Sequence, residues 1–158
     1  MRSATRRDKH AGEAERSAVQ SAGQISRRCS LPLVAAVGGL AWIIVDCSDP
    51  ALLASFWSQV LGVEVGEALE DPVQYQPLAP VTPNGPKLIF QRVPEAKQGK
   101  NRLHLDVSVE DIEVAATRIE ALGGRQLTGA DYSEDGFSWR VMADPEGNEF
   151  CLIVTPDI

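Results

Sequence analysis

Arg102-Leu-His-Leu-Asp-Val-Ser-Val-Glu-Asp111 has a counterpart 62 residues upstream, Leu40-Ala-Trp-Ile-Ile-Val-Asp-Cys-Ser-Asp49. Each is an apolar run that ends on Asp, and each is followed by apolar residues at helical spacing and then by Gly62 or Gly123-Gly124. The same offset of 62 relates Gly85 to Gly147 and Pro94 to Pro156. Between those points lie Pro86-Lys-Leu-Ile-Phe-Gln-Arg-Val93 and Asn148-Glu-Phe-Cys-Leu-Ile-Val-Thr155. An offset that holds at both ends of a unit predicts two copies of one supersecondary module. Two copies facing each other make a pocket, and the side chains at matching positions decide its chemistry.

Local signals give each module the order β-α-β-β-β. In the first, Leu40–Asp46 reads as a strand, and Asp49-Pro50 starts a helix bearing Leu52, Leu53, Phe56, Trp57, Val60 and Leu61. Val63–Glu67 and Val73–Leu78 are short strands, the second weakened by Pro77, and Pro80–Pro86 is a loop before the strand Lys87–Val93. In the second, Leu103–Val109 is a strand, and Asp111 caps a helix bearing Ile112, Ala115, Ala116, Ile119 and Leu122. Arg125–Leu127 is short and extended, and Gly129–Gly136 is a polar loop. The strand Phe137–Met142 then meets Asn148–Val154 across Asp144-Pro-Glu-Gly147, which has type I turn chemistry.

The 158 residues suffice for one domain. Residues 1–38 hold seven Lys or Arg against three Asp or Glu, about +4, with no aromatic, and read as a loosely ordered tail. Residues 39–158 hold eight against nineteen, about −11. An acidic fold excludes a nucleic-acid partner, since phosphate neutralisation needs clustered Lys and Arg. The apolar stretch after Arg27-Arg28 is similar to an export signal, but the repeat claims Leu40–Val45 as a strand, and Pro32 and paired glycines interrupt the run. It is also too short for a membrane span. Cys29, Cys47 and Cys151 show no metal spacing and point to free thiols in a reducing compartment, so the expected location is cytoplasmic.

The paired modules, the phrase Asp144-Pro-Glu-Gly-Asn-Glu-Phe-Cys-Leu152 and the phrase Asn101-Arg-Leu-His-Leu-Asp106 resemble the vicinal oxygen chelate superfamily, and within it the glyoxalase-like domains. The resemblance covers about residues 39–156. It implies an α+β fold in which a module at about 39–94 and a module at about 101–156 lie side by side, each lending a sheet to a cleft. The superfamily includes glyoxalase I, extradiol dioxygenases, methylmalonyl-CoA epimerase and the bleomycin- and fosfomycin-resistance proteins, so the fold does not choose a reaction. In metal-dependent members the ligands come from the first and last strands of each module. The resemblance places those positions on Trp42, Ile89, His104 and Cys151.

Trp42 and Ile89 offer no ligand atom, and imidazole plus thiol fall short of the three protein ligands of a catalytic zinc site. Glyoxalase I activity is therefore not expected, and no cofactor is expected. A divalent metal remains an alternative if the site is rearranged around His104, Asp106, Glu149 or Cys151. Trp42 is either an aromatic platform for a ligand or a large core residue. His104 is a general base or a histidine held by Asp106. Cys151 is a buried apolar residue or one half of a thiol–imidazole pair. Ile89, Gln91 and Glu149 complete the expected lining by strand alternation, while Trp139 falls on a late strand with its face undetermined. The expected function is small-molecule binding, either sequestering or with metal-free acid/base catalysis by His104 with Asp106 or Glu149. The alternative is a metal-dependent lyase, isomerase or dioxygenase. The expected partner is a small ligand, with no nucleic acid and no membrane, in a monomer or homodimer.

Overall fold

Asp49 and Asp111, the ends of the two matching runs, each cap a helix. In the computed structural model, which describes residues 38–156, the Asp49 Oδ1 accepts from the Ala51 and Leu52 amides at 3.1 and 3.2 Å. The Asp111 Oδ1 accepts from the Val114 amide at 2.9 Å. These bonds satisfy amides that have no partner inside the helix. Helix α1 (Pro50–Leu61) begins with Pro50 and ends at Gly62, whose φ of 66° suits a residue without Cβ. Helix α2 (Ile112–Ala121) ends before Gly123 (φ 98°) and Gly124. A Cβ on Gly124 would meet Ile119 Cγ2 at 2.6 Å and the Ala143 carbonyl at 2.9 Å, so the tight return demands glycine.

The first module carries β1 (Trp42–Cys47), α1, β2 (Tyr75–Pro77) and β3 (Lys87–Arg92), with sheet order β1-β3-β2. The second carries β4 (Asp106–Ser108), α2, β5 (Arg125–Gln126), β6 (Tyr132–Glu134), β7 (Phe137–Ala143) and β8 (Glu149–Val154). Its order is β4-β8-β7-β5, with β6 also pairing to β7. This is an α+β arrangement of two modules, β-α-β-β in the first and β-α-β-β-β-β in the second. First and last strands are parallel neighbours in both, and partners stand 45 residues apart in each pair, as Ile44 with Ile89 and Asp106 with Cys151 show.

The two modules share a core. Phe56 and Trp57 of α1 pack against Phe150 of β8, with ring centroids 6.2 and 4.9 Å apart. Leu53, Leu78, Leu88, Phe90, Ile119, Met142 and Leu152 join them, all buried. Each such side chain contributes about 1.5–3 kcal/mol by leaving water. Two polar clamps reinforce this packing. The fully buried Asp144 accepts from the Trp57 indole at 3.3 Å, from the Glu146 and Asn148 amides at 3.0 and 2.9 Å, and from Asn148 Nδ2 at 2.9 Å. Glu146 reaches back to α1, accepting from the Ser48 and Asp49 amides at 2.8 and 2.7 Å and from the Ser48 hydroxyl at 2.9 Å. A carboxylate at a helix N-terminus also meets the positive end of the helix dipole.

Some elements differ from the sequence expectation. The strand expected over Leu103–Val109 is regular only at Asp106–Ser108, because β8 is its one hydrogen-bonded neighbour, and His104 sits just ahead of it. Val63–Glu67 reduces to one bridge, Val65 to Leu78. The polar loop expected over Gly129–Gly136 instead contains β6, which turns into β7 through Asp135 (φ 51°) and Gly136 (φ 84°). Two consecutive positive φ values between paired strands make a type I′ hairpin, for which Asp-Gly is a favoured sequence. The tail expected over residues 1–38 lies outside the described residues apart from Gly38.

Candidate active site

Strand alternation sorts the side chains into two faces. Val45, Cys47, Leu88, Phe90, Val107, Phe150 and Leu152 belong to or pack against the shared core. Their neighbours Trp42, Ile89, Gln91, Asp106, Glu149 and Cys151 therefore take the face away from the helices, and His104 follows the same alternation just ahead of β4. All seven expected site residues share this outer face, but the structure brings only some of them together.

His104, Asp106 and Cys151 converge. His104 Nε2 stands 3.4 Å from Asp106 Oδ1, and one ligand atom from each of the three residues lies within 4.8 Å of the others. They line a cavity of about 420 Å³ with Glu134, Asp135, Phe137, Trp139 and Ile153. Tyr132 stacks on Trp139, with centroids 5.6 Å apart and planes 19° from parallel. The cavity thus has an aromatic wall on β6 and β7 facing a polar group on β4 and β8. The wall was missed in the sequence, although the β7–β8 turn contains the signal. The register across that turn sets Val141 opposite Cys151 and Trp139 opposite Ile153. Trp139 must then share the Cys151 face.

Trp42, Ile89 and Gln91 are not part of this group. β1 and β4 each pair only with the last strand of their own module, so the two outer faces belong to separate sheets rather than one curved wall. Trp42 is 59% exposed. Ile89 pairs beside Ile44, and Gln91 beside Asp46, within the first sheet. A second, larger cavity of about 950 Å³ separates β1 from the Asn101–Leu105 segment, and neither Trp42, Ile89 nor Gln91 lines it.

Glu149 has a different occupation from the one expected. Its carboxylate accepts from the Asn101 amide at 3.0 Å and pairs with the Lys97 ammonium at 3.1 Å, tying down the segment between the modules. Burial alone would raise its pKa. The Asn101 amide and Lys97 outweigh burial and hold the carboxyl below its ordinary value. Glu149 and His104 both line the larger cavity, and His104 also lines the smaller one.

Burial pushes the Cys151 thiol up to about 11, and the nearby Asp106 carboxylate adds to the effect. At neutral pH the group is a thiol, which argues against a thiolate nucleophile. Asp106 stands beside the imidazole, its Oδ1 3.4 Å from His104 Nε2. That leaves the other ring nitrogen of the half-exposed His104 for a ligand.

Histidine nitrogen, carboxylate oxygen and cysteine sulfur are all accepted by a zinc-like ion, and three protein ligands plus an open position is a catalytic count. The triad fits such an ion in number and chemistry. Contact with one tetrahedral ion needs ligand atoms about 3.5 Å apart. An ion would therefore draw these side chains together and take the proton from Cys151.

A comparison with known families matches residues 42–153 to the glyoxalase-like domain, and the chain belongs to that family. Solved structures show the same fold. A glyoxalase/bleomycin resistance protein/dioxygenase family enzyme from Burkholderia phytofirmans PsJN is 20% identical, with a TM-score of 0.58 over 75% of this chain and 100% of that one. A glyoxalase-related enzyme from Fulvimarina pelagi is also 20% identical, with a TM-score of 0.59 over 75% and 88%. The fosfomycin resistance protein FosX from Listeria monocytogenes, solved as a mutant with Mn(II) and a dihydroxypropylphosphonic acid, is 14% identical, with a TM-score of 0.61 over 77% and 93%. At these identities the likeness is one of fold. No curated protein matches the sequence. Among the described residues, no helix is long and apolar enough to cross a membrane.

Proposed function

We propose that this protein binds a small organic molecule in the cavity on the outer face of the second module, without a resident metal, and that His104 and Asp106 handle a proton of the bound ligand. The observation that carries this reading is the convergence of His104, Asp106 and Cys151 opposite Phe137 and Trp139 in one cavity. A cavity of about 420 Å³ with an apolar wall and a few convergent polar groups has the form of a ligand site. Asp106 Oδ1, 3.4 Å from His104 Nε2, orients the imidazole, as a carboxylate does for a catalytic histidine. Cys151 contributes a packed, protonated floor. The same chemistry serves a protein that only sequesters its ligand, with His104 as a hydrogen-bonding contact. The free thiols Cys47 and Cys151 accord with a cytoplasmic setting.

A second reading has its own observation, the three ligand atoms within 4.8 Å. In it, His104, Asp106 and Cys151 hold a divalent ion that supplies Lewis-acid chemistry when bound, and the protein is a metal-dependent lyase, isomerase or dioxygenase. Purified protein dialysed against Zn²⁺, Mn²⁺ and Ni²⁺ and then passed through buffer separates the two. The proposal expects less than a tenth of an equivalent of any metal to remain. Retention near one equivalent, lost in His104→Ala, would replace it with the second reading.

A further inference from the structure

The site's lining also restricts the charge and shape of its ligand. Three carboxylates, Asp106, Glu134 and Asp135, border the cavity, and neither Lys nor Arg is among its lining residues. Asp106 is engaged by His104. Among the described residues, no ion pair engages Glu134 or Asp135. Both lie at the end of the β6–β7 hairpin, which also carries the stacked Tyr132 and Trp139. Two uncompensated negative charges therefore stand beside an aromatic face.

That pairing favours one ligand class. An indole face attracts a cation through its ring quadrupole, and carboxylates within a few ångströms add to the same preference. A flat ring system extends the stack begun by Tyr132 and Trp139. An anion such as a phosphonate would meet repulsion from the hairpin and find no cation in the lining to pair with. Resting on the reading of this cavity as the ligand site, we propose that its ligand is a planar aromatic or heteroaromatic cation, stacked on the Trp139 side of the cavity with its charge toward Glu134 and Asp135.

Three probes with one ring system and different charge test this: aminoacridinium, neutral acridine and acridine carboxylate, titrated by calorimetry against the full chain. The cation–π contact and two exposed ion pairs are each worth about two- to fivefold. The cation is thus expected to bind at least about tenfold more tightly than neutral acridine, and the carboxylate more weakly than either. Raising salt from 0.05 to 0.5 M should reduce the cation's advantage several-fold, because exposed charges are screened. Trp139→Leu should weaken both probes, the cation by about two- to fivefold more than the neutral one. The double variant Glu134→Gln, Asp135→Asn should cut the cation's advantage to the roughly two- to fivefold that the cation–π contact supplies, while leaving the neutral probe unchanged. Asn tolerates the positive φ at position 135, so this variant keeps the hairpin.

If the neutral or anionic probe binds as tightly as the cation, and Trp139→Leu abolishes that binding, the charge inference is overturned while the ligand site stands. If no probe binds and none shifts the NMR signals of His104 or Trp139, both are overturned. Binding that neither variant alters lies elsewhere and also overturns the inference.

Discussion

Asp144→Ala should be among the most damaging single substitutions in this fold. The carboxylate is fully buried and accepts four hydrogen bonds, from the Trp57 indole, the Glu146 and Asn148 amides and Asn148 Nδ2. Hydrogen bonds to a charged group are worth about 1.5–3 kcal/mol each, and a buried donor left without a partner costs about 1–3 kcal/mol. The Trp57 indole is enclosed by the core, so its donor finds no water in exchange. The two turn amides lie nearer the surface and recover part of their loss from solvent. Counting the indole fully and the others in part gives about 3–5 kcal/mol, a large fraction of a typical domain's stability. Urea unfolding followed by tryptophan fluorescence measures it, with the midpoint falling and the slope unchanged. Asp144→Asn keeps one acceptor oxygen but sets an amide NH₂ against two donors, so it should lie between wild type and Asp144→Ala. A loss below 1 kcal/mol for Asp144→Ala would show that water satisfies these donors, and would refute the view that this carboxylate organises the joint between the modules.

Glu146→Ala removes three hydrogen bonds from the start of α1 and should cost about 1–3 kcal/mol by urea unfolding, with Glu146→Gln recovering part of it. Arg140 pairs with Asp131 at 2.6 Å and Glu113 at 2.8 Å and so links α2, β7 and the approach to β6. Arg140→Met should speed hydrogen exchange at Tyr132–Glu134 several-fold while leaving α1 protected, and equal change at both would count against the link. The thiols of Cys151 and Cys47 are raised to about 11 and about 12, for both chiefly by burial. The stability they contribute is full below the unfolded thiol pKa of about 8.5 and is lost as pH rises through the folded values. Unfolding free energy should therefore decline between pH 9 and pH 11, and native alkylation should still be accelerating at pH 10. Half-maximal alkylation near pH 8 would contradict the burial of both groups.

The fold was legible because its decisive signals are local or periodic. The offset that carries Asp49 to Asp111 marks both helix caps, and the Asp144-Pro-Glu-Gly147 turn fixes the hairpin between β7 and β8. Alternation put all seven expected site residues on the outer face. It could not show whether the two outer faces meet, because that depends on whether β1 and β4 pair, and no pattern within either strand reports on the other. Trp42 was therefore expected opposite His104, whereas the aromatic side chain in the His104 cavity is Trp139. The bonds that Glu149 makes were not legible for a related reason. Parity gives its face but not the presence of Lys97 and the Asn101 amide, which come from a segment without periodicity.

The Asp-Pro-Glu-Gly-Asn turn joins the two parts of the molecule that sequence reasoning treated separately. Its Asp144 side chain holds α1 of the first module through Trp57, and its backbone fixes the β7–β8 register that sets Trp139 opposite Ile153 and Val141 opposite Cys151. A one-residue slip in that register would move Trp139 to the helix-side core and Arg140 into the cavity, exchanging an aromatic, acidic site for one bearing a buried cation. The buried carboxylate that joins the modules therefore also maintains the composition of the site, although it does not line the smaller cavity. Stability at Asp144 and ligand selectivity at Trp139 should consequently change together, because one turn determines both.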